Sequence, residues 1–268
     1  MQKLEGIKYL ETIKRYGLVQ TNDYKRLFYT MEEEVEGYHT EKSLLVVQHD
    51  HGVNRLLYYT LDLCDLTEAI KRLDNQEYVM EYITKNSEEK DELFKKMGFQ
   101  VLTRIKRVAV KDCTLALGEQ SPVMEYFDSN IGQVAKEKEA EEINQILWKV
   151  FDTRISRLLD REEVRQAIQK QEFTIERNQK EEIEAILQVK EQAKRFYINQ
   201  IYNGGEKKII HAMMLNRLKK YSETGGRYIY AWIDEKNIAS IKFHKKYGME
   251  PDGIWDIIYF TERKGYKK

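Results

Sequence analysis

A short loop, Asn203-Gly-Gly-Glu-Lys-Lys208, has the residue types that bind a phosphate group. Gly204 and Gly205 carry no side chains, so the backbone N–H groups of the loop can turn toward one point. The segment after the loop has helical periodicity, and the start of a helix dipole favours an anion. Lys207 and Lys208 add positive charge. These features indicate a phosphate site, while a plain glycine turn between a strand and a helix would need the same residues.

Asn237 and His244 are a second candidate pair, on one predicted helix. Asn237 precedes the helix, where an Asn side chain caps backbone N–H groups whether or not it also binds a ligand. The unperturbed pKa of a histidine lies at ~6.5, close to neutral pH, so His244 suits a general acid. A hydrogen-bonding group under a cofactor and a surface residue are the other interpretations of His244.

The elements that must position these residues follow one another in the chain. Residues 195–202 and 228–233 are rich in aromatic and β-branched side chains, which is typical of strands. Apolar residues at helical spacing predict a helix over 207–221, and Gly248 ends the helix that begins after Asn237. The other predicted helices are residues 2–16, 23–31, 66–73, 88–97, 137–151 and one capped by Asp160. The other predicted strands are residues 43–48, 54–61, 78–83, 101–110, 131–135, 172–177, 183–189 and 255–260, the last entered through a turn at 251–253.

The segment around His244 repeats an earlier segment. Phe94-Lys-Lys-Met-Gly-Phe99 aligns with His244-Lys-Lys-Tyr-Gly-Met249 at an offset of 150 positions, since 248 − 98 = 150 for the two helix-ending glycines. The order strand, helix, strand is shared by both segments. A length of 268 residues also fits two ordinary domains. The chain is therefore predicted to contain two related halves in tandem.

The boundary between the halves is predicted from a break in the periodic pattern. Gly118 and Pro122 interrupt the pattern within residues 118–130. We predict one domain over residues 1–125 and a second over residues 126–268.

The second half resembles the GNAT acyltransferase superfamily, from about Ile131 to the C-terminus. The likeness lies in the strand before Asn237, in the short helix with His244 where the family usually has a Tyr, and in Gly248-Met249 where it has Gly-Phe. It implies an α/β (α+β) fold of two tandem GNAT-like domains, each a mixed, mainly antiparallel central sheet flanked by helices. The first domain would be a degenerate copy.

The resemblance also implies a site for acetyl-CoA as cosubstrate. GNAT proteins hold the pyrophosphate of coenzyme A at the loop between this strand and helix, in a motif of Arg or Gln followed by two spaced glycines. This sequence departs from the motif, with Gly205, Lys208 and Ile210 at those three positions. The residues expected to bind the cofactor are Ile201, Tyr202, Gly204, Gly205, Lys207, Lys208 and Asn237. His244 stands where the family places the acid for the departing thiolate, and the sequence assigns no general base.

The first half lacks these features. The loop Asp62-Leu-Cys-Asp65 has no glycine, Phe94 aligns with His244, and Ser87 aligns with Asn237. The interpretation that follows is a supporting half, which shapes the acceptor site.

Composition limits the partners. The 45 basic and 45 acidic residues cancel, which gives no reason to expect nucleic acid or an anionic membrane as partner. No apolar run approaches the ~20 residues that span a bilayer, and the N-terminus does not resemble a signal peptide. The two cysteines favour neither disulfides nor a metal site, and His49 and His51 lie at a predicted hairpin turn without a third ligand nearby. We expect a cytoplasmic protein without a metal.

The function predicted from the sequence is acetyl-CoA-dependent N-acetylation of an amine, with a small molecule or peptide as acceptor. A non-catalytic acyl-CoA-binding or interaction module with the same fold is the alternative. A third interpretation is a tandem GNAT-like aminoacyltransferase that uses aminoacyl-tRNA, which the neutral composition disfavours, since tRNA phosphates call for a basic surface.

Overall fold

The computed structural model describes residues 2–24, 34–192 and 194–261. The chain divides into two compact units. Unit 1 is Met1–Ile105 with Ile254–Lys268, and unit 2 is Lys106–Gly253. The predicted boundary between residues 125 and 126 falls inside unit 2.

Unit 1 combines a mainly antiparallel sheet with three helices in its described part. Its strands are β1 (Gln2–Glu5), β2 (Gln20–Thr21), β3 (Glu34–His39), β4 (Ser43–Asp50), β5 (Val53–Thr60), β6 (Tyr78–Thr84) and the first part of β7 (Phe99–Val110). Its helices are α1 (Gly6–Lys14), α2 (Leu63–Ile70) and α3 (Asp91–Lys96).

The last strand of the chain belongs to the sheet of unit 1. The strand is β13 (Glu250–Thr261), and its residues Trp255 to Phe260 pair antiparallel with β6. The strand order is β1-β3-β4-β5-β6-β13-β7, and β2 pairs with β5. Ile257 and Tyr259 of β13 are buried in the same apolar cluster as Phe94 of α3. The chain therefore leaves unit 1 within β7 and returns to it within β13.

Unit 2 contains the elements around the candidate site. Its strands are the second part of β7, β8 (Gln133–Val134), β9 (Phe173–Arg177), β10 (Ile183–Gln192), β11 (Arg195–Asn203) and β12 (Tyr228–Asp234). Its helices are α4 (Ala140–Val150), α5 (Arg161–Gln169), α6 (Lys207–Glu223) and α7 (Ile238–Lys245). The strand order is β7-β12-β11-β10-β9-β8.

Two apolar clusters cover the sheet of unit 2. The larger cluster joins buried residues of α6, such as Met213 and Leu218, to Phe196 of β11 and Ile229 of β12. The other joins α4 and α5 to β9 and β10. Helices therefore pack on a mixed sheet, as predicted, and β11 and β12 run parallel within it.

Local signals predicted several helix ends correctly. Asp160 accepts a hydrogen bond from Glu163 N (2.8 Å), and the Glu163 carboxylate accepts one from Asp160 N (2.8 Å), so a capping box starts α5. Gly98 and Gly248 both have positive φ, at +93° and +72°, which explains why glycine follows α3 and α7 in both copies of the repeat.

Three predicted elements differ in the structure. Residues 2–5 form β1 rather than the start of a helix, and they pair with β3. Residues 251–253 lie within β13 instead of forming a turn. The predicted helix over 23–31 falls mostly outside the described residues, and Asp23 itself is not helical. No helix in the described ranges is long and apolar enough to cross a membrane.

Candidate functional site

A gap opens between β11 and β12 in unit 2. The two strands pair in parallel only from Arg195 to Ile198 on β11 and from Tyr228 to Ala231 on β12. The register between β10 and β11 shifts at the same level, because Val189 pairs with Ile198 and Gln188 pairs with Gln200. Asn199 is therefore the extra residue of a β-bulge, which bends its strand. Beyond the bulge β11 pairs with β10 alone.

The predicted phosphate loop follows directly on β11 and is built closely around its glycines. A methyl group on Gly204 would lie 2.5 Å from the hydroxyl oxygen of Tyr202, and one on Gly205 would lie 2.4 Å from Oε2 of Glu184. Gly204 N donates to the carbonyl oxygen of Glu184 (2.7 Å). Neither glycine has a positive φ, so what each position provides is space. A methyl group there would displace the end of the Tyr202 or the Glu184 side chain.

The start of α6 offers backbone donors. Glu206 is the N-cap residue, and its side chain makes no capping hydrogen bond. Lys207 and Lys208 are exposed in the first turn, and Lys208 Nζ lies 3.1 Å from Oε2 of Glu206. An uncapped helix start with lysines beside it suits an anion.

Ile201 and Tyr202 continue β11 into the loop, half-buried on opposite faces of the sheet. Ile201 packs against the larger cluster with α6, whereas Tyr202 packs against the cluster with α4 and α5. Side chains alternate along a strand, so only one of the two can face a given side of the gap.

Asn237 caps α7 as predicted. Its Oδ1 accepts from Ser240 N at 3.0 Å, and the residue is exposed. The structure therefore confirms the structural role of Asn237, and contact with a cofactor stays a prediction.

His244 is buried, with 3% of its surface exposed. Its Nδ1 lies 2.8 Å from the carbonyl oxygen of Ser240, and because a carbonyl only accepts, Nδ1 carries the hydrogen. Burial lowers the pKa of His244 to about 4, against the smaller raising effect of the Ser240 bond. Nε2 is buried and has no hydrogen-bond partner among the described residues. The imidazole is thus neutral at pH 7, with Nε2 as an acceptor.

A second buried histidine lies beside α7, and the sequence analysis did not single it out. His211 of α6 contacts the hydroxyl of Tyr247 through Nδ1 (2.8 Å) and stacks on Tyr126 and Phe243, each with ring centroids 4.7 Å apart. Burial lowers the pKa of His211 to about 4. A lone polar residue within Ile209-Ile-His-Ala-Met-Met-Leu215 was the available signal.

The corresponding gap in unit 1 is filled by the chain itself. β5 and β6 pair in parallel only at Asn54 and Arg55 with Tyr78 and Val79. β4 pairs with β5 along its whole length, so β2, which also pairs with β5, lies on the edge toward β6. A short segment of unit 1 thus occupies the space that is open in unit 2.

Asn22, directly after β2, ties this segment to both strands. Its Nδ2 donates to the carbonyl oxygens of Leu56 (2.9 Å) and Glu81 (3.1 Å), and its Oδ1 accepts from Tyr58 N (2.8 Å). The sequence analysis did not identify this role.

Two further features of unit 1 differ from their counterparts in unit 2. Asp62 caps α2 by accepting from Cys64 N at 2.8 Å, which puts a carboxylate at that helix start. Phe94, which aligns with His244, is fully buried among aromatic rings.

No protein-family model matches the sequence, and no curated protein matches it. Several solved structures, however, have a similar fold. A GCN5-related N-acetyltransferase from Sphaerobacter thermophilus has a TM-score of 0.59 at 13% identity, over 85% of this chain and 79% of the other. One from Kribbella flavida has a TM-score of 0.53 at 12% identity, over 85% and 89%. A probable N-acyltransferase from Enterococcus faecalis has a TM-score of 0.54 at 8% identity, over 97% and 72%. The chain therefore has the GNAT fold.

Proposed function

We propose that the protein is an acyltransferase that moves an acetyl group from acetyl-CoA to an amine. The observation that carries the proposal is the gap between β11 and β12, which continues into Gly204, Gly205 and the uncapped start of α6. An extended thioester with a diphosphate at one end suits an elongated gap beside an anion-binding helix start. The GNAT fold supports the same class of reaction.

The residues proposed for the cosubstrate divide by their chemistry. Gly204, Gly205, Lys207 and Lys208 would bind the diphosphate through backbone N–H groups and positive charge. Strand residues Ile201 and Tyr202 would line the arm of the cofactor in the gap. Asn237 would add a contact from the start of α7.

His244 is the proposed proton carrier. Acetyl-CoA would supply an acetyl group activated as a thioester. As the C–N bond forms, Nε2 of His244 takes the proton from the attacking amine and returns it to the sulfur as the C–S bond breaks. This role suits an imidazole that is neutral at rest, whereas the acid predicted from the sequence would need an extra proton that burial disfavours. A pKa near 4 makes a weak base at neutral pH, so proximity of amine and thioester would supply much of the rate.

A small molecule or peptide with a free amine is the proposed acceptor, and the cytoplasm is the proposed location. The balanced charge supports neither a nucleic acid nor a membrane as partner. It also disfavours an aminoacyl-tRNA as donor.

A non-catalytic acyl-CoA-binding or interaction module is the second candidate. Glu184 and Glu206 favour the interaction form of this candidate, because two carboxylates beside the phosphate loop oppose tight binding of a diphosphate.

The test is calorimetry with acetyl-CoA, followed by thiol release over a panel of amines. We expect binding and turnover, and a roughly tenfold loss of affinity (about 1.4 kcal/mol) in Gly205→Ala, whose methyl group would cover the loop backbone. Gly118→Ala is the control, because its methyl group would be 3.7 Å from the nearest atom. No binding at millimolar acetyl-CoA would reject the enzyme and the acyl-CoA-binding module, and binding without turnover would favour the module.

A further inference from the structure

Glu184 lies against the phosphate loop through both its backbone and its side chain. Its carbonyl oxygen accepts from Gly204 N (2.7 Å), and its carboxylate packs on Gly205, within 2.4 Å of a methyl group placed there. The side chain is half-buried, so it is held on the loop surface rather than extended into solvent. The Glu184 carboxylate therefore occupies the space that a side chain at position 205 would fill.

The charge around the loop is balanced rather than positive. Glu184 and Glu206 carry two negative charges, and Lys207 and Lys208 carry two positive ones. One of these lysines, Lys208, already pairs with Glu206. A diphosphate at this loop would meet Glu184 at short range, where like charges repel most strongly.

We propose that Glu184 is a specificity-determining residue for the acyl donor, which weakens binding of the diphosphate of coenzyme A and leaves recognition of the pantetheine arm unchanged. This inference rests on the proposed function. Its physical basis is that the carboxylate beside Gly205 repels phosphate oxygens and offsets the positive dipole at the start of α6. A donor with less negative charge at this end would not meet the same repulsion.

The variant Glu184→Gln tests the charge alone, because Gln has nearly the same size and shape as Glu. We expect coenzyme A to bind 5- to 10-fold more tightly to Glu184→Gln than to the wild type at low salt. Pantetheine, which lacks the diphosphate, should bind both proteins equally. The difference for coenzyme A should shrink as salt is added, since salt screens exposed charges.

Glu182→Gln is the matched control. Glu182 is exposed at the turn before β10, where its carboxylate accepts from Asn178 Nδ2 (3.0 Å). The variant makes the same change in net charge away from Gly205, so it should leave coenzyme A binding within twofold of the wild type.

Calorimetry with coenzyme A and pantetheine on the three proteins separates the outcomes. Binding to Glu184→Gln alone would support the role of Glu184 and reject the wild-type protein as an acyl-CoA enzyme. Equal coenzyme A affinity in wild type and Glu184→Gln would overturn the role of Glu184 and leave the proposed function standing. A gain that appears equally for pantetheine, or in Glu182→Gln, would also overturn the role. No binding to any of the three proteins would reject both proposals.

Discussion

At the scale of single residues, burial strongly controls the protonation of His244. His244 is buried, and its Nδ1 contacts both the backbone oxygen (2.8 Å) and the hydroxyl (3.3 Å) of Ser240. Burial lowers the pKa of His244 to about 4, from 6.5 in the unfolded chain. Between pH 6.5 and pH 4, His244 is therefore protonated in the unfolded chain and neutral in the folded chain.

We predict that this difference makes stability depend on pH. The folded state is at full stability with respect to His244 above pH 6.5, and it loses stability as the pH falls toward 4. At pH 5 the loss relative to pH 7.5 should be about 2 kcal/mol, from 1.36 kcal/mol per pKa unit. His244→Gln should lose about that much less stability over the same range, as measured by urea unfolding at both pH values.

His49 gives a control of opposite sign. Its Nε2 lies 2.6 Å from Glu36 Oε2, and this hydrogen bond raises the pKa of His49. Its stabilising effect is present below pH 6.5 and disappears as the pH rises, and exposure makes it small. A His49→Gln variant should thus lose slightly more stability on acidification than the wild type. If His244→Gln lost as much stability as the wild type between pH 7.5 and pH 5, burial of His244 would not be the cause of the pH dependence.

The role of a residue could be predicted from the sequence when its contacts lie within its own helix or turn. Asn237 and Gly248 were identified correctly because a cap needs only its own helix. Glu184 contacts Gly205 through the register of β10 on β11, including the shift beyond Asn199. No periodic pattern in the sequence encodes a one-residue shift, so this contact required the structure.

At the scale of elements, the two units treat the gap between their parallel strands differently. In unit 2 a bulge at Asn199 ends the pairing of β11 with β12. In unit 1 the pairing of β5 with β6 ends after two residue pairs, and β2 with Asn22 fills the space. A segment that fills the gap takes the backbone groups that an extended ligand would otherwise meet.

We predict that Asn22→Ala lowers the stability of unit 1 by about 3 kcal/mol. The change would leave Leu56 O, Glu81 O and Tyr58 N without their partner in a buried place, at about 1–3 kcal/mol for each unsatisfied group that water does not reach. Urea unfolding measures the loss, and hydrogen exchange at Tyr58 N reports it locally.

Asn86→Ala is the matched control for this prediction. Asn86 is an exposed turn residue of unit 1, and its Oδ1 accepts a hydrogen bond from Glu88 N (3.2 Å). Its loss should cost less than 1 kcal/mol. Equal effects of the two variants, or an unchanged exchange rate at Tyr58 N in Asn22→Ala, would contradict the bridging role of Asn22.

The elements that the sequence missed are short or depend on partners far away in the chain. β2 contains two residues, too few for any alternation to show. Asp23 was predicted to start a helix, yet its carboxylate accepts a hydrogen bond from the hydroxyl of Tyr59 (2.5 Å). Longer elements, such as α6 and β12, were predicted nearly to the residue, because their patterns repeat over several turns or pleats.

At the scale of the whole molecule, the compact units are not two consecutive halves of the sequence, because unit 1 also contains the segment from Ile254 onward. The repeat at an offset of 150 residues correctly indicated two copies of one arrangement. It did not indicate that β13 completes the sheet of unit 1, because an amphipathic strand at the end of the chain suits either sheet. The alternation of side chains along a strand predicts which face is buried, but it does not predict which other strand will pair with it.

We therefore predict that a core change in β13 destabilises unit 1 first. Ile257 is fully buried, pairs with Tyr82 of β6, and packs in the cluster that includes Phe94. Ile257→Ala should cost about 3 kcal/mol through lost contacts and the cavity that remains. Local opening should then speed hydrogen exchange in β6 while exchange in β11 stays near the wild-type rate.

Ile233→Ala in the core of unit 2 is the matched variant, and it should speed exchange in β11 and α6 instead. If Ile257→Ala is too unstable to purify, Ile257→Val, at about 1 kcal/mol, keeps the comparison. Faster exchange in β11 than in β6 after either change at Ile257 would show that the last strand supports the second unit instead.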